Sequence, residues 1–262
     1  MASKNPLISW MMARDIRVSA ISYLNTAPFI YGLQNSGIAQ SINISFDYPS
    51  ECARKLQNSE SDVGIIPVAA LPSLPQYEIV SNYCIGAVGP VKTVSLLGNT
   101  PLQEIRKIYL DYQSRTSVEL VKILAKNYWD IKPEWAPLSP LQDTRKLKSQ
   151  EAVVIIGDRV FDAQKQFEYA TDLAAEWFKY TGLPFVFAVW ASVTPLEPSF
   201  LSKFNLSLEL GLRNILKAVE YFSPQNISKD EAIDYLNNNI SYILDEQKKK
   251  AIKLFLELIP VN

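Results

Sequence analysis

The sequence predicts an α/β protein of two lobes, each a mixed sheet flanked by helices, with further helices at the C-terminal end. Short apolar segments alternate with amphipathic ones between residues 16 and 192, which is the strand-helix order of an α/β fold. Two long extended segments, at 90–97 and 185–192, lie on either side of a middle α/β block. We therefore expect the chain to enter a second lobe through the first segment and to return through the second.

The predicted elements before residue 90 are four strands and one helix. The strands are apolar and cover 16–21, 42–48, 62–68 and 77–89. The helix covers 50–60 and opens at Pro49, since proline is favoured in the first turn of a helix.

The middle block continues the same alternation, with strands at 90–99, 105–111, 152–158 and 183–192. A helix is predicted over 114–130, where Thr116 and Glu119 have the spacing of a capping box. A second helix is predicted over 170–182, with Gly182 as its end signal.

From Pro198 onward the pattern is purely helical. One helix is predicted over 206–222, a second opens with the capping-box residues Ser228 and Glu231, and a third begins behind Asp245.

This pattern gives a prediction for the domain organisation. Residues 1–13 form an N-terminal extension, residues 14–93 and 191–262 form a discontinuous first lobe, and residues 94–190 form the second lobe. Proteins built in this way bind small ligands in the cleft between the lobes.

Composition excludes several classes of function. The chain has 262 residues, of which 48% are hydrophobic, and this is enough to bury a large core. Its formal net charge of −1 offers no attraction to a phosphate backbone, so we expect no nucleic-acid partner. No apolar run reaches the roughly 20 residues that span a bilayer, and the N-terminus lacks a signal-peptide pattern. We expect no membrane association, and Cys52 and Cys84, as buried free thiols, fit a reducing cytoplasm.

The sequence contains no histidine. Histidine is the usual general base at neutral pH, so its absence excludes Ser-His-Asp and Cys-His triads and histidine metal sites. Proton transfer in an enzyme of this sequence falls to a carboxylate, a lysine, a tyrosine or the substrate.

Polar side chains cluster at three predicted strand-to-helix junctions and on the first crossing segment. A helix start offers free backbone N–H groups and the positive end of its dipole, and nearby hydroxyl groups complete a site for a carboxylate or phosphate. The alternative interpretation is an ordinary capped helix with a solvated arginine. The candidate binding residues are Ser22, Tyr23, Asn25, Ser50, Thr93, Ser114, Arg115, Thr116 and Ser117.

Several segments together resemble one enzyme family. They are "ISYLNTAPFIYGL", "DVGIIPVAAL", "CIGAVGPVKTVSLL", "LDYQSRTSVELVKILA", "IIGD" and "EWFKYTGLPFVFAVW". The resemblance is to the chorismate dehydratases of the futalosine route to menaquinone, and it covers residues 15–260 in order. It implies a fold like that of type II periplasmic binding proteins, used by a cytoplasmic enzyme. It also implies a hydro-lyase that converts chorismate into 3-[(1-carboxyvinyl)oxy]benzoate.

The resemblance also bears on individual residues. It fits a mechanism in which the substrate's own carboxylate is the base, with Asn25 as the main catalytic side chain and no cofactor or metal. Thr93 stands where the family commonly has serine, and it keeps the hydroxyl group while adding a methyl group. We expect chorismate as the small-molecule substrate, and either a monomer or a homodimer.

Two alternatives remain at this stage. One is a cytoplasmic small-carboxylate-binding protein of the same fold without catalysis. The other is the related lyase that cleaves cyclic dehypoxanthine futalosine, although the missing histidine and the Tyr-Leu-Asn-Thr motif at residues 23–26 favour the dehydratase.

Overall fold

The computed structural model describes residues 15–260, and these form two mixed β-sheets with helices packed around them. The predicted extension at residues 1–13 lies outside the described residues. We call each sheet with its packed helices a lobe.

The first sheet has six strands in the order β11-β4-β10-β3-β1-β2. Strands β2 and β3 run parallel to β1, whereas β10, β4 and β11 make antiparallel pairs. Their bounds are β1 (Ile16–Ile21), β2 (Ile42–Asp47), β3 (Val63–Pro67), β4 (Glu78–Ala87), β10 (Phe185–Ser192) and β11 (Ser241–Ile243).

The second sheet has five strands in the order β7-β6-β8-β5-β9. Strands β7, β6 and β8 are parallel, and β5 is antiparallel to both of its neighbours. Their bounds are β5 (Val94–Gly98), β6 (Lys107–Leu110), β7 (Glu134–Pro137), β8 (Glu151–Ile156) and β9 (Tyr169–Asp172).

Nine α-helices connect and cover these sheets within residues 15–260. They are α1 (Ala27–Gln34), α2 (Pro49–Gln57), α3 (Arg115–Asn127), α4 (Val160–Ala163), α5 (Leu173–Thr181), α6 (Pro198–Leu212), α7 (Ile215–Phe222), α8 (Lys229–Asn238) and α9 (Glu246–Leu258).

Most predicted strands and helices are present, and their order confirms the two-sheet α/β architecture. Every residue of β3, β5 and β10 is buried, which explains why these segments are apolar without alternation. Gly182 ends α5, and Ser228 and Asp245 cap the starts of α8 and α9, as predicted.

The return from the second lobe lies earlier than predicted. Strand β10 pairs with β3 and β4 of the first sheet from Phe185 to Ser192. The boundary at residue 190 is therefore wrong, because it divides a strand that belongs wholly to the first sheet.

The first crossing segment is not one continuous strand. Lys92 has a φ of +65°, in the left-handed region, so the chain turns there before β5 begins at Val94. The backbone N–H groups of Val91 and Lys92 both donate to one carboxylate oxygen of Asp172, at 2.9 and 2.7 Å. The other oxygen of Asp172 caps α5, so this carboxylate ties the crossing to the second lobe.

The C-terminal region differs from the prediction in two places. The single helix predicted over 206–222 is broken between α6 and α7, where the Asn214 side chain donates to the Leu210 carbonyl at 2.8 Å. Asparagine side chains compete in this way with the backbone for hydrogen bonds, and this favours a helix end. Residues 241–243 form the short edge strand β11, so the region is not purely helical.

Helices α1 and α6 pack with their backbones in contact. A Cβ added to Gly211 would lie 1.7 Å from the Pro28 carbonyl oxygen, and one added to Gly32 would lie 1.9 Å from the Ser207 carbonyl oxygen. Only glycine permits this approach, which fixes the helix that follows the β1 junction.

Candidate active site

A cavity lies between the two sheets. Strands β1 and β3 of the first sheet and β8 of the second end at its wall, at Ile21, Pro67 and Ile156. Open α/β sheets bind ligands at the carboxyl ends of their strands.

Six of the nine predicted binding residues line this cavity. They are Tyr23, Asn25, Thr93, Ser114, Thr116 and Ser117. Ser50 and Arg115 instead line a second, wider groove, which shares Ser114 with the cavity. Ser22 is exposed and lines neither space, so the structure does not bring it to the candidate site.

The polar junction after β1 is built around Thr26. Its buried hydroxyl donates to the carbonyl oxygens of Ile21 and Tyr23, and this closes a short 3-10 turn before α1. The turn leaves the half-buried side chain of Asn25 on the cavity wall. The Asn25 Oδ1 atom is buried and has no hydrogen-bond partner among residues 15–260, so it is free to bind a ligand.

Tyr23 crosses from the first lobe to the second. Its hydroxyl donates to the Gln113 Oε1 atom, and its ring lies against Gly157. Gly157 has a φ of +66°, and a Cβ there would lie 2.8 Å from the ring, so both backbone conformation and space require glycine. Burial raises the pKa of Tyr23 well above its usual value, so the phenol stays protonated at neutral pH.

Thr93 lies at the end of the crossing segment. Its buried hydroxyl is 2.7 Å from the hydroxyl of Tyr235 in α8, and its carbonyl accepts the Gly157 N–H at 2.9 Å. The residue is thus held from both lobes while its side chain lines the cavity.

Ser114 is the N-cap of α3. Its Oγ accepts the Ser117 N–H at 3.0 Å and donates to the Ser117 Oγ at 2.9 Å. The Ser117 hydroxyl therefore keeps its own hydrogen for a ligand. The capping box predicted at Thr116 and Glu119 is wrong, because the helix starts one residue before Thr116.

Thr116 has a structural role in the geometry observed. Its hydroxyl donates to the Phe187 carbonyl at 3.1 Å and accepts the Ala69 N–H at 3.2 Å. Both partners belong to the first lobe, so Thr116 fastens the start of α3 across the cleft and has little capacity left for a ligand.

The cavity wall carries no charged side chain within residues 15–260. Two carboxylates on neighbouring segments, Asp111 and Asp158, already accept hydrogen bonds. Asp111 accepts from Arg159 at 2.6 Å and from the N–H groups of Gln113 and Ile156. Asp158 accepts the Leu24 N–H and lines a separate pocket, and burial raises its pKa to about 6.

The wider groove is charged, in contrast to the cavity. Arg115 is exposed there, and Lys122 pairs with Glu119 at 2.9 Å. Within residues 15–260, no group of three or more histidine, cysteine, aspartate or glutamate side chains could hold a metal ion.

The model of the family described as menaquinone biosynthesis matches residues 16–260. The chain belongs to this family. A curated relative from Thermus thermophilus, named chorismate dehydratase, is 25% identical over 90% of this chain and 92% of its own length. A second with the same name, from Campylobacter jejuni, is 31% identical over 43% of this chain and 51% of its own length.

Solved structures support the fold of this menaquinone biosynthesis family member. A protein of Archaeoglobus fulgidus superposes with a TM-score of 0.72 at 17% identity, covering 94% of this chain and 97% of that one. A Candida albicans protein described as having the generic periplasmic binding protein fold superposes with a TM-score of 0.62 at 13% identity, covering 95% of this chain and 92% of that one. The Escherichia coli periplasmic aliphatic sulphonate binding protein superposes with a TM-score of 0.59 at 14% identity, covering 95% of this chain and 94% of that one. The predicted periplasmic-binding-protein-like fold is confirmed.

Sequence reasoning missed three residues that shape the site of this family member. Gln113 and Gly157 hold Tyr23, and Tyr235 contacts Thr93. Gly157 had a usable signal, because a glycine directly after a buried strand often marks a positive φ. Tyr235 had none, since it is separated from Thr93 by 142 residues.

No helix within residues 15–260 has both the length and the apolar character needed to cross a bilayer.

Proposed function

We propose that this protein is a chorismate dehydratase, a hydro-lyase that converts chorismate into 3-[(1-carboxyvinyl)oxy]benzoate in a cytoplasmic, futalosine-dependent menaquinone route. The Thermus thermophilus relative of that name aligns over nearly the whole of both chains. The observation that carries the proposal is a cavity between the two sheets whose described wall has hydroxyl and amide groups and no charged side chain.

Neutral donors suit this substrate and this reaction. Chorismate carries two carboxylates and a hydroxyl on a ring that becomes aromatic when water is lost. In our proposal the Ser117 hydroxyl and the first N–H groups of α3 hold the ring carboxylate, where negative charge develops as the ring proton leaves. Arg115 and Ser50 act at the groove, outside the cavity.

The proton acceptor in this proposal is the substrate's enolpyruvyl carboxylate. Among the described residues that line the cavity, Tyr23 is the one titratable group. Its raised pKa and its hydrogen bond to Gln113 make it unsuitable as a base. A carboxylate bound away from water and without a cation becomes more basic, which favours proton removal.

The elimination then balances within the substrate. The carboxylate takes the proton from the carbon that bears the ether, the C–H electrons form a ring double bond, and the neighbouring C–O bond breaks. The departing hydroxide takes up the proton that the enolpyruvyl carboxyl group now holds, so water leaves and the carboxylate is restored. Orientation supplies much of the rate, because the product is aromatic and the reacting groups are already joined.

Asn25 and Thr93 orient the reacting groups in this mechanism. The unpartnered Asn25 Oδ1 can accept the hydrogen of the ring hydroxyl, and the Thr93 hydroxyl can donate to the leaving oxygen or to the enolpyruvyl carboxylate. Neither side chain ionises near neutral pH, so both keep these properties over a wide pH range.

The direct test is to incubate the purified protein with chorismate and to follow the products by absorbance and mass spectrometry. We expect an aromatic product that is lighter than chorismate by one water. Chorismate that is bound, as measured by calorimetry, but recovered unchanged would instead show a binding protein. Turnover of cyclic dehypoxanthine futalosine in place of chorismate would contradict the proposal as well.

A further inference from the structure

Tyr235 of α8 lies behind the cavity wall, and 1% of its surface is exposed. Its hydroxyl is 2.7 Å from the Thr93 Oγ1, and it also interacts with the Asn25 side chain. One buried phenol therefore contacts both side chains to which the proposed elimination assigns an orienting role.

The hydrogen-bond requirements of these three groups favour one direction for each bond. Asn25 Oδ1 has no partner among the described residues, so the amide of Asn25 reaches Tyr235 through its N–H group and donates. If Thr93 also donated to Tyr235, the buried phenol hydrogen would have no acceptor, which is costly. Either hydroxyl could donate in the Thr93–Tyr235 bond, and the arrangement that satisfies all three groups has Tyr235 donating to the Thr93 Oγ1, with the Thr93 hydrogen directed toward the cavity.

We propose that Tyr235 is a positioning residue, which holds Thr93 as a hydrogen-bond donor and Asn25 as a hydrogen-bond acceptor toward the substrate. The inference rests on the proposed dehydratase function and extends it. Without the phenol hydroxyl, Thr93 can rotate its hydrogen away from the substrate, and the Asn25 amide can rotate so that its nitrogen and oxygen exchange places.

The second lobe supports the ring of Tyr235. Phe161 of α4 packs edge-on against it, with ring centroids 5.4 Å apart and an interplanar angle of 90°. Since α4 follows β8 of the second sheet, this ring contact joins Tyr235 to the second lobe.

Tyr235→Phe tests the role, because it removes the hydroxyl and keeps the ring contact with Phe161. We expect kcat for chorismate to fall about 10- to 100-fold, with KM changed less than kcat. In a Thr93→Val background the same change is expected to have little further effect, because the group that Tyr235 orients is already absent.

Tyr242→Phe is the matched control. The Tyr242 hydroxyl is also buried, and it donates to the backbone carbonyl of Asn25 at 3.0 Å rather than to a reacting side chain. We expect a similar loss in Tm for both variants, but a kcat for Tyr242→Phe within about twofold of the wild type.

The outcomes separate the two proposals. A wild-type protein that does not turn over chorismate overturns the proposed function and this inference together. An active wild type with an unimpaired Tyr235→Phe variant overturns this inference alone. Equal losses of kcat in the two tyrosine variants, or full additivity with Thr93→Val, would also overturn it, because they would show only a general structural effect.

Discussion

The backbone N–H of Leu24 donates to both carboxylate oxygens of Asp158, at 3.1 and 3.0 Å. Leu24 follows β1 of the first sheet and Asp158 follows β8 of the second, so this bond joins the two lobes beside the candidate site. Together with the contacts of Tyr23 to Gln113 and Gly157, it holds the cleft closed in the structure.

The first prediction concerns pH. Desolvation raises the pKa of Asp158 from 3.8 to about 6, because a single N–H bond does not offset its burial. The folded protein thus holds this proton more tightly than the unfolded chain, so protonation of Asp158 stabilises the folded state. This contribution is fully present below about pH 4 and is lost as the pH rises through about 6. Between about pH 5 and about pH 7.5 the free energy of unfolding of the wild type should fall by about 1 kcal/mol relative to that of Asp158→Asn, which has no proton to lose at this position.

Urea unfolding of both proteins at the two pH values measures this difference. Asparagine keeps an acceptor for the Leu24 N–H, so the lobe contact itself is retained. A parallel pH dependence of the two proteins would contradict the assignment.

The second prediction concerns Gly157. Gly157→Ala places a methyl group 2.8 Å from the Tyr23 ring, at a φ of +66°. We expect a destabilisation of about 1–2 kcal/mol from the backbone and a clear loss of kcat/KM from displacement of Tyr23. Gly182→Ala is the matched control, because its φ is +71° and a Cβ there would meet nothing within 4 Å. It should lose similar stability and keep its activity, and an equal loss of activity in both variants would rule out the proposed contact.

The third prediction concerns Asn25. Asn25→Ala removes the unpartnered acceptor from the cavity wall, and we expect kcat to fall about 100-fold or more with the fold intact. Asn35→Ala, at the exposed C-terminal end of the helix α1 that follows Asn25, removes only a bond to the Tyr31 carbonyl and should retain turnover. Near-normal kinetics for Asn25→Ala would be incompatible with its proposed role.

The fourth prediction separates the cavity from the groove. Ser117→Ala removes a donor at the uncharged wall, so we expect kcat/KM to fall about 10-fold at every salt concentration. Arg115 is exposed in the groove, so Arg115→Gln should lower kcat/KM mainly at low ionic strength, where long-range attraction of a dianion is strongest. Steady-state kinetics at low and high salt measure both effects. A salt-independent loss for Arg115→Gln would place its charge against the bound substrate instead.

Much of the candidate site could be predicted because its residues follow local rules. Ser114 caps α3, and Asn25 and Tyr23 follow a buried strand, so sequence position alone indicates that they lie near the cleft. Ser22 and Asn25 are three residues apart, yet only Asn25 faces the cavity. The direction of a side chain within a tight turn depends on contacts that local sequence does not encode.

By itself, the sequence determined the alternation of strands and helices, the family and the absence of histidine, since these depend on residue types and spacing. The tertiary structure decided which polar groups are still free. Thr116 is used in fastening the lobes, and Tyr235 comes to Thr93 from a distant helix. The physical reason is that a hydrogen bond is satisfied by proximity in space, and long-range packing brings together residues that the chain keeps far apart.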